Sequence, residues 1–166
     1  MKTAGLFFLA ASFALGGYFH GEEIRKAKLC MEELFRLIQH VRFEIEVFSR
    51  DQGGIYQKFS SPFFTRCGFL PLLIRETDLN PTGALYRCLR DFLPQFRLPN
   101  RWSEEILNWS ESFGMRSRQK ELEETGQLVI FLEKSLKEER ENMKNRIRLS
   151  RTLGLTAGIG IFILLF

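Results

Sequence analysis

The side chains able to do chemistry are few, and their spacing is wrong for most of it. The only two histidines are His20 and His40. Neither has a cysteine or second histidine at the short spacing that metal sites use. A lone histidine on a helix reads as a surface or rim residue that titrates near neutral pH. Cys30, Cys67 and Cys88 stand 37 and 21 residues apart. An odd count without short spacings makes neither a disulfide framework nor a zinc pattern; Cys30 and Cys88, among apolar residues in expected helices, read as small buried hydrophobes in a reducing compartment. Gly53-Gly54 lacks the following Gly-Lys-Ser/Thr of a phosphate loop. Gly-x-Ser-x-Gly and His-Glu-x-x-His are absent. Glu104-Glu105 and Glu123-Glu124 are adjacent carboxylates, so neither pair shares a helical face. No nucleophile and base converge. The chain is therefore expected to be no enzyme and to take no cofactor and no metal.

Composition supports an interaction domain instead. The chain has 166 residues, 45% hydrophobic and 27% charged, which bounds it at one modest domain. Its mean hydropathy of -0.13 hides a division between apolar ends and a charged middle. The net charge of +4 comes from 24 basic and 20 acidic residues. That mixture carries no nucleic-acid footprint. Five prolines argue against a loop-rich protein, and 17 phenylalanines supply large apolar surfaces for a core.

Thr3 to Phe19 is a run of 17 residues without a charge. As a helix it spans about 26 Å, close to a hydrocarbon core of about 30 Å. Thr152 to Phe166 is a second run of 15, about 22 Å long, which Leu149 and a snorkelling Arg151 can extend. Both are expected to enter the lipid bilayer. A competing reading of the first run is a cleaved secretory signal, with Lys2 ahead of a short apolar region. Arg25, Lys26, Lys28, Lys144, Arg146, Arg148 and Arg151 flank the runs on the middle-domain side, against Lys2 alone on the far side. The positive-inside rule then puts the middle domain in the cytoplasm. Ala10 with Ala14, and Gly154 with Gly158, have the small-x-x-x-small spacing that lets membrane helices pack closely.

The fold class is all-α: a helical bundle whose two long terminal helices continue into the N- and C-terminal membrane segments. The divisions are 1–20 (membrane), 21–151 (cytoplasmic helical domain) and 152–166 (membrane). In the first long helix Ile24, Ala27, Met31, Leu34, Ile38, Val41, Ile45 and Phe48 recur at alternating steps of 3 and 4, ending at Gly53-Gly54. Glu32, Glu33, Arg36, Gln39 and Glu46 take the other side. In the last helix Leu122, Thr125, Val129, Leu132, Leu136, Arg140, Met143 and Ile147 make a similar stripe, and one helix is expected from near Ser117 to Phe166. The core stripe is thus Leu34, Ile38, Val41 and Ile45 facing Val129, Leu132 and Leu136. The two helices are expected to pack antiparallel. Between them, Ser61-Pro62 starts a short helix that Gly68 ends. Asn80-Pro81 starts another through Phe92, and Ser103 caps a third through Phe113, with Gly114 after it. No strand pattern occurs. Trp102, Trp109, Phe63, Phe64 and Phe69 read as core.

This layout resembles the stage III sporulation protein AB family of endospore-forming bacteria. The resemblance is carried by Leu34 to Ile45 with its closing Glu44-Ile45, by Phe113-Gly114 followed by Leu132-Glu133 and a charged helix, and by Leu153-Gly154-Leu155 with its apolar tail. That family in turn looks like the cytoplasmic helical domain of type II secretion platform protein F. The resemblance implies a non-enzymatic scaffold in the channel complex between mother cell and forespore, on the mother-cell side of the forespore membrane. The implied partners are the complex's cytoplasmic secretion-type ATPase and the other membrane subunits of the channel. The alternative is a generic membrane-tethered helical adaptor or coiled-coil partner in another system.

Overall fold

From Lys2 the chain forms one helix, α1 (Lys2–Phe48). No proline interrupts it, and its apolar positions stay in helical register. The structure, a computed structural model, describes residues 2–48 and 52–165, with side chains for 21–48, 54–142, 145, 148, 149, 152 and 156. Ala27, Met31, Leu34, Ile38, Val41 and Ile45 are buried. Cys30, Leu37 and Glu44, seven residues apart, are buried beside them. They widen the stripe beyond a two-helix seam, as a bundle helix requires. Phe48, last of the sequence stripe, is half exposed.

α1 is described as far as Phe48. Gly53 and Gly54 lie inside α2 (Gln52–Lys58). Each glycine costs a helix about 1 kcal/mol relative to alanine. The complete burial of Ile55 and Tyr56 on this short helix outweighs that preference.

Ser61 and Pro62 open α3 (Pro62–Arg66), where Phe64 N donates to Ser61 Oγ at 3.1 Å. Gly68 then takes φ +80, a conformation glycine adopts without penalty, and releases the chain into α4 (Phe69–Leu79). The next helix begins later than Asn80-Pro81 suggests. Gly83, at φ +69, turns the chain, and α5 (Ala84–Phe92) starts after it. Arg87 donates to the turn carbonyls of Thr82 (2.8 Å) and Asn80 (3.0 Å). A 3-10 turn over Leu93–Phe96 follows. α6 (Asn100–Ser112) starts three residues before Ser103. Pro99 fixes the entry, and Ser103 N already donates to the Pro99 carbonyl. Gly114, at φ +86, separates it from α7 (Arg118–Leu165), one continuous helix. Among the described residues there is no strand.

Contacts divide the chain into two units, 29–136 and 1–28 with 137–166. In the first, α4 packs on α2, α3 and α5, and α5 on α6. A chain of rings fills this core. Phe64 meets Phe69 at 4.9 Å, Phe69 meets Phe92 at 4.5 Å and Phe92 meets Phe96 at 4.6 Å. Such tilted pairs add to the area they bury. Trp102 and Trp109 are also buried. Along α7, Thr125, Leu128, Val129, Leu132 and Leu136 are buried. Arg140 is exposed, and Met143 and Ile147 lie outside the described side chains. Arg118 reaches the carbonyls of Ile45 and Glu46, and Gly126 faces Arg42. Residue numbers fall along α1 as they rise along α7, so the two helices run antiparallel in this unit.

In the second unit, Arg25 pairs with Glu22 at 2.8 Å, one helical turn away. Among the described residues no helix is long and apolar enough to cross a membrane. Nearly all of the two apolar runs, with Ala10, Ala14, Gly154 and Gly158, falls outside the described side chains.

Candidate functional site

The side chains that looked reactive are engaged in structure. Cys30 and Cys88 are buried, Cys67 is exposed, and all three are free. Cys67 lies where Gly68 turns the chain at the surface, and its thiol donates to the Phe63 carbonyl at 3.0 Å. Burial, then the neighbouring Cys67, holds the Cys30 thiol far above the ordinary range. Burial first, then Glu76, pushes Cys88 up to about 11, against the opposing pull of Arg87. Neither is a thiolate at neutral pH, so neither is poised as a nucleophile. Tyr56, wholly buried, is shifted upward by burial and then by Cys88 and Glu121. Among the described residues no cluster of His, Cys, Asp and Glu could hold a metal.

Two carboxylates, Glu44 and Glu121, are buried. Glu44 sits at the heptad position of Cys30 and Leu37, with 4% of its surface exposed. Glu121, in the first turn of α7, accepts from the backbone N–H groups of Gly114 and Arg116 and so fastens the link between α6 and α7. Arg116 pairs with Glu124. In the core, Trp109 Nε1 donates to Thr125 Oγ1 at 3.1 Å. These groups hold the bundle together.

Among the described residues, a groove of about 340 Å3 lies between α1 and the end of α2. It is lined by Arg36, Gln39 and His40 from α1 and by Lys58, Phe59 and Ser60. His40 forms its wall: Nε2 lies 3.0 Å from the Ile55 carbonyl, which can only accept, so Nε2 carries the proton. Its ring packs on Phe59 at 5.4 Å. Arg36 pairs with Glu33 at 2.7 Å, and Lys58 Nζ sits 5.6 Å from the Phe48 ring centre. Beside the groove Phe43 and Val47 are exposed, with Phe43 edge-on to Phe48 at 6.0 Å. His40 was legible as a rim residue. The groove was not, because Lys58 and Ser60 reach it only through α2, which its glycines disguise.

A family model described as stage III sporulation protein AB matches residues 2–166. The chain belongs to the stage III sporulation protein AB family. No curated protein and no solved structure matches it. Membership makes this a sporulation-related protein. Within that family frame, the core stripe residues Leu34, Ile38, Val41, Ile45, Val129, Leu132 and Leu136 are all buried in the unit 29–136. The α1–α2 groove is the candidate surface for a partner.

Proposed function

We propose that this member of the family is a non-enzymatic membrane scaffold subunit of the mother cell–forespore channel complex. It docks a cytoplasmic secretion-type ATPase to the membrane machinery, beside other membrane subunits of the channel. Family membership over residues 2–166 carries the reading. The helical unit at residues 29–136 supports it, since it carries an exposed groove suited to contact.

In this reading the apolar runs at both ends anchor the chain in the cell membrane on the mother-cell side, with the helical unit in the cytoplasm. Two described side chains of the C-terminal run suit that setting. Thr152 Oγ1 donates to the Arg148 carbonyl and Thr156 Oγ1 to the Thr152 carbonyl, each at 2.9 Å. A hydroxyl that bonds back to its own helix needs no water. Purification of the tagged full chain from membranes of sporulating cells tests the reading. The ATPase should co-purify with it after detergent extraction. Recovery of the chain in the soluble fraction, or without the ATPase, would count against the scaffold.

A further inference from the structure

α1 carries a second stripe at heptad spacing. Leu29, Glu33, Arg36, His40, Phe43 and Val47 follow at steps of 4, 3, 4, 3 and 4. At about 100° per residue, Phe43 points about 180° away from the buried Leu34. The apolar members are open to solvent: Leu29 is 47% exposed and Phe43 and Val47 are each 53% exposed. Single exposed apolar residues need no explanation. Three of them in one heptad register form a seam of the kind one helix offers another.

The groove lies against this seam and shares Arg36 and His40 with it. Two of its six lining residues, Arg36 and Lys58, are cations, and none is a carboxylate. Gln39, His40 and Ser60 add polar atoms to the same walls. Glu33, itself in the seam and half-buried, is the partner of Arg36, and the exposed Glu46 stands beside Val47 on α1.

We infer that this face of α1 docks an amphipathic helix of a protein partner, whose apolar residues pack on Leu29, Phe43 and Val47 and whose carboxylate enters the groove between Arg36 and Lys58. The partner is of that chemistry because the groove lining holds two cations and no carboxylate, Lys58 is left over once Arg36 is paired with Glu33, and Glu33 and Glu46 are the acidic neighbours on α1. A continuous anionic surface such as a bilayer would meet Glu33 and Glu46 as like charges, whereas a helix can place one carboxylate in the groove and keep its neighbours clear. The groove also gives the complex a register, which a bare apolar seam lacks.

The inference rests on the docking reading above and assigns its surface. The full chain in detergent, immobilised through a tag, is titrated with the purified secretion-type ATPase of the same complex. Phe43→Ser and Arg36→Glu each weaken binding by about tenfold or more, as central contacts do. Ile130→Ser, at an exposed apolar position on α7, changes it by less than about twofold. All three variants keep the wild-type melting temperature, since the side chains are largely outside the core. Equal affinity of the variants and wild type overturns the assigned face and leaves the docking reading standing. No binding by the wild type overturns both. Binding to anionic phospholipid vesicles that Phe43→Ser abolishes, with ATPase affinity intact, also overturns the inference and gives the face to the membrane.

Discussion

The guanidinium of Arg118, in the first turn of α7, closes the end of α1: its Nε donates to the Ile45 carbonyl at 3.1 Å and its Nη2 to the Glu46 carbonyl at 2.7 Å. These carbonyls belong to the last described turn of α1, and carbonyls at a helix C-terminus carry the negative end of its dipole. One side chain thus joins the end of the first long helix to the start of the last, across more than 70 residues of sequence. Arg118→Ala should cost about 1 kcal/mol, below the roughly 1.5–3 kcal/mol of hydrogen bonds to charged groups, because the Arg118 side chain is exposed. Arg118→Gln, which keeps donors without the charge, should fall between. Urea midpoints of a fragment spanning 21–151 measure both, and an unchanged midpoint for Arg118→Ala would mean water serves these carbonyls equally well.

The two faces of α1 should respond differently to one substitution. Leu34 is 1% exposed, and Leu29, five residues earlier, is half open. Leu34→Ala should destabilise the fragment by about 2–5 kcal/mol, from lost transfer energy plus a cavity. Leu29→Ala should cost under about 1 kcal/mol, since less apolar area leaves water there on folding. Similar losses at both positions would place a packing partner over Leu29 within the monomer.

How far the fold could be read depended on the strength of each local signal. α1 and α7 were legible because their 3-4 stripes persist over many turns and no proline intervenes. Their interior was less so. Glu44 repeats the position of Cys30 and Leu37, but a carboxylate reads as solvated until the packing around it is seen. The helix boundaries at Gly53-Gly54 and Ser103 were misplaced for one reason. Residues with turn or cap preferences sit inside helices when burial on the same turn, of Ile55 and Tyr56 or of Trp102 and Ile106, contributes more. α4 opens on Gly68 with no side-chain cap, so nothing in its approach announced it. The groove needed α1 and α2 placed side by side, which no spacing within one segment encodes.

Thiol chemistry should separate the cysteines. Cys67 is exposed, and Cys30 and Cys88 are buried with raised pKa values. At pH 8 a maleimide should modify Cys67 in the folded chain and leave the other two until denaturant is added, as peptide mass spectrometry can show. The same residue reports topology. In intact sporulating cells an impermeant reagent should spare Cys67, and label it after lysis, if the seven flanking basic residues orient the chain as proposed. Rapid labelling in intact cells would favour a secreted domain.

Alkaline pH should weaken the fold. The folded pKa of Cys88, about 11, lies above its ordinary 9.0, and Cys30 and Tyr56 shift in the same direction. The folded state therefore keeps protons that the unfolded chain releases. The stability this represents is fully present below about pH 9 and is lost as pH rises towards about 11. Cys88→Ala should flatten part of that decline, whatever it does to stability at pH 7. Urea midpoints that stay level from pH 8 to 11 would mean these groups ionise alike in both states.

Two buried polar groups give the sharpest contrast. Trp109 Nε1 has a partner in Thr125 Oγ1, whereas the Tyr56 hydroxyl has none among the described residues. Thr125→Val keeps the shape and leaves the indole N–H unsatisfied in the core, which should cost about 1–3 kcal/mol. Tyr56→Phe removes a hydroxyl that has already lost its solvation without gaining a bond, so stability should stay within about 0.5 kcal/mol or rise. The pair controls for burial, because Thr125 and Tyr56 are both 0% exposed. It also separates pairing from packing: the valine replaces a hydroxyl by a methyl and preserves volume. A large loss for Tyr56→Phe would reveal a buried water bonded to that hydroxyl, and the raised pKa of Tyr56 would then reflect a hydrogen-bonded site as well as burial.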